Sequence, residues 1–271
     1  MHAKSIVAVL AALFLVSPYC FAQQPASAQT AAPSRDPQAT ALLQKSLNNL
    51  VGQISIADVT LNGTAIRTSG SDSQSGSATL KATSIGQSRV DLVLSAGNRS
   101  EVRDVSVAPP TGTWSGPDSS VHPISQHNLL TAPAWFFPAF VLTAALSNSN
   151  YAISPIDQET KLGTTVNHVT VFQQISVPGD TMNLFQKLSQ MDIYLDPSSL
   201  FPVAIDIAGH PDTNAVLNIP TEFQFSNYSA TGGATVPFHI QELINNVVLL
   251  DIQISQVTFN TGLSSDIFAL Q

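Results

Sequence analysis

The chain has 271 residues, of which only 10% are charged, and its formal net charge at pH 7 is −8. This acidic balance argues against a nucleic-acid partner, which requires a basic surface, and against electrostatic docking on an anionic membrane. Cys20 is the only cysteine, so no intrachain disulfide can form and a hydrophobic core must stabilise the protein. A chain of this length can supply that core with one large β domain.

Residues 1–22 have the pattern of an export signal. A short basic start precedes an uninterrupted apolar run over residues 6–16, which is too short to span a membrane. The small residues near the end of this segment predict cleavage after Ala22 and therefore a periplasmic protein. The competing interpretation is a lipoprotein modified at Cys20, but the bulky Tyr19 directly before that cysteine argues against it.

Two further segments precede the predicted strands. Residues 23–36 are low in complexity and have little to bury, so we expect a disordered linker. The segment 37–51 begins with an aspartate–proline pair and is followed by glycine, which is typical of a helix. Its apolar face includes Leu43 and Leu47. We expect this face to lie on a sheet, either as ordinary core or as part of a lid.

From residue 53 the periodicity changes from helical to alternating. The change predicts a succession of short antiparallel strands joined by turns. Leu61, Leu80 and Leu92 are expected on the inward face of these strands. The segment 69–76 is rich in serine and glycine, so it is predicted to be the first turn.

Three arginines occur in the third and fourth predicted strands, which a tight turn at residues 97–98 separates. Arg89, Arg99 and Arg103 each stand close to an acidic residue in the sequence. This pattern favours cross-strand ion pairs on the solvent-facing side of the sheet over a basic ligand-binding site.

A loop and then the least sheet-like segment of the chain, residues 127–146, follow the fourth predicted strand. Residues 109–123 are rich in proline and glycine and are predicted to be a loop. Residues 127–146 are apolar almost all round, and Pro138 is expected to start a helix that ends near residue 147. We expect this segment to be either ordinary core or a cap that moves away from an apolar groove when a ligand enters. Its aromatic residues include Trp135, Phe136, Phe137 and Phe140.

The second half of the chain returns to strands. Residues 191–207 read as a hairpin, with Ile193 among the apolar alternate positions and two X-Pro pairs that prevent a continuous helix. Phe225 and Ile252 mark the inward faces of later strands. In the last strand the apolar residues change from even to odd positions, which predicts a β-bulge near residues 255–256 and a bend in the sheet.

The sequence carries no motif that indicates catalysis or metal binding. Its histidines are scattered, and no serine stands in a Gly-x-Ser-x-Gly elbow. Asp192, Asp196 and Asp206 occupy the polar positions of the predicted hairpin, so we interpret them as solvent-facing rather than as a catalytic carboxylate pair. We therefore expect no catalytic residue, no metal site and no cofactor.

Four stretches, at residues 194–203, 223–229, 234–240 and 257–270, together resemble a known family. They read Y-L-D-P-S-S-L-F-P-V, F-Q-F-S-N-Y-S, A-T-V-P-F-H-I and V-T-F-N-T-G-L-S-S-D-I-F-A-L. Their order, after an export signal and an N-terminal helix, is similar to that of the LolA/LolB-like periplasmic lipoprotein carriers and their relatives. The resemblance covers residues 37–271 and implies a single domain there.

The resemblance implies an α+β fold that is mainly β. A curved antiparallel sheet would form an unclosed half-barrel, with helices covering its concave face and an apolar cavity between them for acyl chains. Each methylene buried in such a cavity contributes roughly 0.8 kcal/mol without requiring a polar partner.

We therefore expect a non-enzymatic periplasmic protein that binds or carries a lipid, an acyl chain or a lipoprotein. Its expected partners are a lipid or an acylated protein, with a protein of the inner or outer membrane as a further candidate, and no nucleic acid. The first alternative is a periplasmic sensor or interaction module on the same fold that transfers no lipid. The second is an enzyme whose type no motif in the sequence reveals. The residues expected to form the apolar cavity or its lid are Leu43, Leu47, Leu61, Leu80, Leu92, Trp135, Phe136, Phe137, Phe140, Ile193, Phe225 and Ile252.

Overall fold

A sheet of 14 antiparallel strands forms the body of the protein within the residues that the structure describes. The computed structural model describes residues 32–175, 179–180 and 182–270, so the predicted signal peptide and residues 23–31 of the predicted linker lie outside the described residues. The strands are β1 (Asp58–Ser69), β2 (Asp72–Thr83), β3 (Gln87–Leu94), β4 (Gly97–Asp104), β5 (Thr111–Ser115), β6 (Val121–Pro123), β7 (Tyr151–Ile153), β8 (Asp157–Lys161), β9 (Thr164–Gln173), β10 (Met191–Leu195), β11 (Pro202–Gly209), β12 (Ile219–Thr231), β13 (Ala234–Ile244) and β14 (Val247–Phe259). The helices are α1 (Pro37–Val51), α2 (Pro138–Ser147) and α3 (Leu184–Ser189), with short 3₁₀ helices η1 (Gln126–Leu129) and η2 (Ser265–Phe268).

The strands form one open sheet with two free ends. Their order is β6-β5-β4-β3-β2-β1-β14-β13-β12-β11-β10-β9-β7, and β8 also pairs with β9. The first strand joins the last in the middle of this order, where β1 and β14 pair, while β6 and β7 lie at opposite ends. The predicted fold class, a mainly β chain with a curved antiparallel sheet that is not closed into a barrel, is therefore confirmed.

Helix α1 has the bounds that the sequence predicts. The side chain of Asp36 accepts hydrogen bonds from the backbone N–H groups of Gln38 and Ala39 at 3.0 and 2.8 Å, which caps the first turn. Leu43 and Leu50 are buried against the concave face of the sheet and α2. Of the helices in the described part of the chain, none is both long enough and apolar enough to cross a membrane.

The chain is already anchored to the domain just before α1. Arg35 forms a parallel bridge with Ile153, and its guanidinium donates hydrogen bonds to the carbonyl oxygens of Ala145, Leu146 and Asn148 at 3.0 to 3.2 Å. These carbonyls lie at the C-terminal end of α2, where a cation is favourable. The sequence predicts a disordered linker up to residue 36. In the structure its last two residues are ordered, because Arg35 contacts the end of α2 and Asp36 caps the start of α1.

The concave face of the sheet carries the main hydrophobic core. Inward residues from β1, β2, β10 and β14 pack there with α1, α2 and the aromatic segment before α2. In β14 the register with β1 shifts between the pairs Asn62–Gln256 and Gly63–Ile254, so Ser255 is an extra residue. The β-bulge that the sequence predicts near residues 255–256 is therefore confirmed, together with the change of inward-facing phase that it causes.

Two predicted loops are in fact strands. The predicted turn at residues 69–76 is wrong, because β1 and β2 pair up to Ser69 and Asp72 and leave only Gly70 and Ser71 as the turn. The predicted loop at residues 109–123 contains β5 and β6, and in this hairpin Trp114 stacks on His122 with ring centroids 4.5 Å apart. In both cases pairing with a neighbouring strand overrides a composition that is weak in β propensity.

The convex face of the hairpin formed by β10 and β11 carries a charged network. The ammonium group of Lys161 lies 2.7 Å from an Asp206 carboxylate oxygen and 3.0 Å from one of Glu222, above the ring of Tyr194. Asp192 accepts a hydrogen bond from Thr170 and lies near His168 in the same region. Asp192 and Asp206, which the sequence predicts to face solvent, are therefore half-buried. Each carboxylate has a basic partner, His168 for Asp192 and Lys161 for Asp206.

Candidate ligand-binding site

A cavity of about 400 Å³ opens on the concave side of the sheet. Its lining includes the end of β1, the start of β12, the end of β13 and the start of β14. Helix α1 ends on the same face but at the opposite end of these strands, where Gly52 closely approaches the β12–β13 turn at Gly233. The helices thus fill one half of the concave face and leave the other half open. The volume is typical of sites that bind small molecules.

One wall of the cavity is apolar. Trp135, in the segment before α2, stacks on Phe223 of β12 with ring centroids 4.5 Å apart and planes 16° from parallel. Stacking with a buried partner fixes the orientation of the indole, and both rings line the cavity. The remaining apolar lining of this wall includes Leu188, Ile207, Ile219 and Ile244. Val90, Leu92 and Leu250 also line the cavity, beside charged residues of the neighbouring strands.

The other wall is charged. Arg99, Glu101 and Arg103 of β4 pair with Leu92, Val90 and Ser88 of β3, so they share the inward face of these strands. The turn before β4 lies at Ser95-Ala96 rather than at residues 97–98. The predicted solvent-facing position of Arg99 and Arg103 is therefore wrong. Arg89 does face outward, where it forms an ion pair with Asp91 at 2.7 Å.

The charges on this wall are unequally satisfied. Arg103 contacts Glu101 at 2.7 Å and donates a hydrogen bond to the carbonyl oxygen of Asn128 at 2.9 Å. Burial alone would lower the pKa of Arg103, but the Glu101 carboxylate more than offsets burial and raises it. Burial and the neighbouring Arg99 lower the pKa of Arg67, which lines the cavity at the end of β1. Arg103 therefore has a counter-ion, whereas Arg67 and Arg99 line the same cavity and their like charges repel each other.

Glu242 of β13 is the second carboxylate on this wall. Leu250 lies between Glu242 and Arg67, because it pairs with both across adjacent strands. Burial and the charge of Glu101 raise the pKa of Glu242 to about 7, and the charges of Arg103 and Arg67 offset this only in part. The carboxyl group therefore titrates near neutral pH.

Replacing Glu242 by glutamine is expected to stabilise the protein in a pH-dependent way. The folded-state pKa lies above the unfolded value of about 4.3, so ionisation as the pH rises between these values disfavours the folded state. In urea titrations, Glu242→Gln is expected to exceed the wild type by roughly 1 to 3 kcal/mol near pH 8 and to match it near pH 4. The control Glu101→Gln should lose stability near pH 8, because it leaves Arg103 without its counter-ion. A Glu242→Gln variant that is less stable near pH 8 would contradict this prediction.

The rim of the cavity joins the two halves of the sheet. The side-chain amide of Asn128 in η1 donates to the carbonyl of His210 at 2.8 Å, and its oxygen accepts from the backbone N–H of His210 at 3.0 Å. A His127 ring nitrogen lies 3.1 Å from the carbonyl oxygen of Pro211. Asp212 also lies at this rim. Within the described ranges, no group of three or more His, Cys, Asp or Glu side chains is placed to hold a metal ion.

The predicted site residues divide between the cavity and the core. Leu92 and Trp135 line the cavity. Leu47 of α1 is half-buried against the core. The others are buried within the core cluster: Leu43, Leu61, Leu80, Phe136, Phe137, Phe140, Ile193, Phe225 and Ile252.

The structure also brings together a serine, a histidine and an aspartate on the convex face. Ser226 Oγ lies 3.0 Å from His239 Nδ1, and His239 Nε2 lies 3.1 Å from an Asp251 carboxylate oxygen. Asp251 accepts further hydrogen bonds from the side chains of Gln241 and Gln253. Since one carboxylate serves three donors on neighbouring strand positions, we interpret this row as a polar ladder that stabilises strand pairing, and we assign it no catalytic role.

Comparison by sequence finds no matching protein-family model and no matching curated protein. Comparison by structure finds similar crystal structures, among them three that each have a TM-score of 0.53. A Vibrio parahaemolyticus domain, provisionally described as an outer membrane lipoprotein-sorting protein, is 12% identical, with 85% of this chain and 96% of that chain covered. A DUF1329 family protein from Desulfovibrio piger is 12% identical, with coverages of 86% and 99%. A LolA superfamily protein from Nitrosomonas europaea is 11% identical, with coverages of 85% and 97%.

These likenesses concern the fold. They extend over nearly the whole length of each similar structure, so the match is to a complete domain. The protein has a LolA-like fold, as the four sequence stretches predict.

Proposed function

We propose that the protein is exported to the periplasm and binds or carries a lipid, an acyl chain or a lipoprotein, without catalysing a reaction. The observation that carries this proposal is the 400 Å³ cavity with an apolar wall on the concave face of a LolA-like sheet. An acyl chain has no polar groups that need a partner, so an apolar wall is sufficient to bind it. The pattern of residues 1–22 supports export, and a membrane-associated protein that delivers or receives the ligand is the partner that fits this role.

The proposal is tested by asking whether the cavity is where an apolar ligand binds. Native mass spectrometry of gently purified protein is expected to show a co-purified lipid, and the uncharged dye N-phenyl-1-naphthylamine is expected to bind with increased fluorescence. Ile207→Trp adds bulk to the cavity wall and is expected to weaken dye binding about tenfold or more, since it displaces the ligand from its apolar contacts.

The matched control is Val93→Trp, which adds the same indole to an exposed position of β3 on the convex face. This variant should bind the dye as the wild type does. A wild-type protein that purifies free of lipid and does not bind the dye would refute the proposal. Equal dye binding by the two tryptophan variants would place the binding surface outside the cavity.

A further inference from the structure

Two arginines at the cavity lack an anionic partner within residues 32–175, 179–180 and 182–270. Neither Arg67 nor Arg99 is engaged in a hydrogen bond or ion pair there, and the Nε atom of Arg99 is buried without an acceptor. Burial removes the water that would accept a hydrogen bond from this N–H group. Because no other acceptor replaces the water, the group carries a desolvation cost. Both side chains therefore face the cavity with unused hydrogen-bonding capacity.

The two guanidinium groups also repel each other. The charge of Arg99 is near enough to lower the pKa of Arg67, after burial the largest influence on it. Neither neighbouring carboxylate neutralises the pair: Glu101 is held by Arg103 at 2.7 Å, and Glu242 ionises only near neutral pH. An anion supplied from outside would satisfy both arginines at once, because guanidinium groups bind carboxylate and phosphate with paired hydrogen bonds.

The arginines occupy only one side of the cavity. Trp135, Phe223 and Ile207 line the apolar side, on the segment before α2 and on β11 and β12. A small inorganic anion would leave this apolar surface unused, and a neutral hydrocarbon would leave the arginines unpaired. A molecule with an anionic head and an apolar chain satisfies both sides.

We propose that the cavity binds an anionic amphiphile, with a carboxylate or phosphate head between Arg67 and Arg99 and an acyl chain along Trp135 and Phe223. This inference rests on the proposed function and adds to it the chemical class of the ligand and the two residues that select it. A specific site for the head group also fixes the orientation of the bound molecule, because the head must lie at Arg67 and Arg99.

The test compares three probes: dodecyl phosphate, dodecanol, which lacks the phosphate, and inorganic phosphate, which lacks the chain. All are used below micelle-forming concentrations. Dodecyl phosphate is expected to displace N-phenyl-1-naphthylamine from the wild type at a concentration about tenfold or more below that of dodecanol. Inorganic phosphate is expected to compete with dodecyl phosphate only weakly, because it gains nothing from the apolar wall.

The double variant Arg67→Gln/Arg99→Gln is expected to lose the preference for dodecyl phosphate while it keeps its affinity for the dye and for dodecanol. The control Lys45→Gln/Lys81→Gln changes the net charge by the same amount from α1 and the convex face of β2, and should keep the preference. At pH 8, where Glu242 is ionised, Glu242→Gln removes a negative charge beside Arg67 and should strengthen dodecyl phosphate binding more than dodecanol binding. This gain of affinity keeps the test decisive if the arginine variants do not fold.

The outcomes separate the two proposals. If the wild type binds neither the dye nor dodecanol, the proposed function itself fails. If dodecanol binds as tightly as dodecyl phosphate, or if the arginine variant keeps the preference, the anionic head site is wrong while the apolar carrier stands. If inorganic phosphate competes as well as dodecyl phosphate does, the arginines form a site for a free anion and the amphiphile is excluded.

Discussion

Replacing Phe136 by alanine is expected to lower the free energy of unfolding by about 3 to 5 kcal/mol. The ring of Phe136 is fully buried and packs edge-on against Trp135, with ring centroids 5.5 Å apart. Its removal leaves a cavity in the core beneath the segment before α2, and the surrounding strands cannot close it. Urea unfolding followed by circular dichroism measures the loss. The molecules that remain folded should still bind an apolar dye, because Phe136 does not line the open cavity.

Trp135→Ala is the matched comparison, since it truncates the adjacent aromatic residue. Trp135 is half-buried, stacks on Phe223 and lines the cavity, so we expect a smaller loss of stability, about 1 to 2 kcal/mol. Dye binding should weaken about tenfold or more, because a large apolar side chain is lost from the wall. The opposite result would be a folded Phe136→Ala variant that no longer binds the dye and a Trp135→Ala variant that still binds it. In that case the ligand occupies the core side of the aromatic segment.

The difference between these two neighbours explains how far the sequence could predict the site. The aromatic segment is visible as an apolar stretch with proline breaks, and the helix that starts at Pro138 follows from it. Whether Trp135 or Phe136 faces open space depends on which strands oppose them, here β12 at Phe223. Local periodicity carries no information about a partner that is about 90 residues away in the chain.

The charged wall could have been predicted from pairing parity. Along a hairpin with a two-residue turn, the residue numbers of each directly opposed pair add up to the same value, and opposed residues point to the same face of the sheet. A turn at residues 95–96 or at 97–98 therefore places Arg99 and Arg103 on the same inward face as Leu92. The proximity of acidic residues instead suggested ion pairs on the outside. Charged residues on an inward face conflict with a simple dry-face pattern, and such local conflicts are expected at functional sites.

Much of the fold followed from patterns that have one physical solution. The cap at Asp36 with the proline after it fixed the start of α1, and the change of phase in β14 required an extra residue near 255. The strands at residues 72–76 and in β5 and β6 did not follow, because serine and glycine form strands only where a neighbour supplies the hydrogen bonds. Within residues 72–76, a glycine is needed at position 76 because β3 approaches β2 closely there.

Gly76 lies where β3 comes nearest to β2, and its replacement by valine is expected to be among the most damaging single changes in the sheet. It faces the concave side, paired with Ala65 of β1 and Leu94 of β3. A Cβ atom at this position would overlap the backbone carbonyl oxygen of Val93. Because the obstacle is main chain rather than a flexible side chain, the neighbouring strand itself must move.

The curvature that creates the cavity depends on this close contact. Gly63 makes a similar approach to the backbone of β14 beside the bulge, so β1 and β2 each carry a glycine on the concave face of the bend. Side chains on a concave surface crowd together as the curvature increases, which favours residues without a Cβ atom there. A valine at residue 76 would therefore force β2 and β3 apart and open the sheet.

Gly76→Val is expected to destabilise the protein by about 3 kcal/mol or more, and to weaken dye binding because the wall formed by β3 and β4 moves. Ser75→Val is the matched control, since it adds the same side chain one position earlier, on the exposed face opposite Ile66. This change should be neutral or slightly stabilising, because valine favours a strand and gains a cross-strand apolar neighbour. Urea unfolding of both variants checks the contrast. A Gly76→Val protein as stable as Ser75→Val would show that the sheet tolerates a wider spacing there, and that the curvature has another cause.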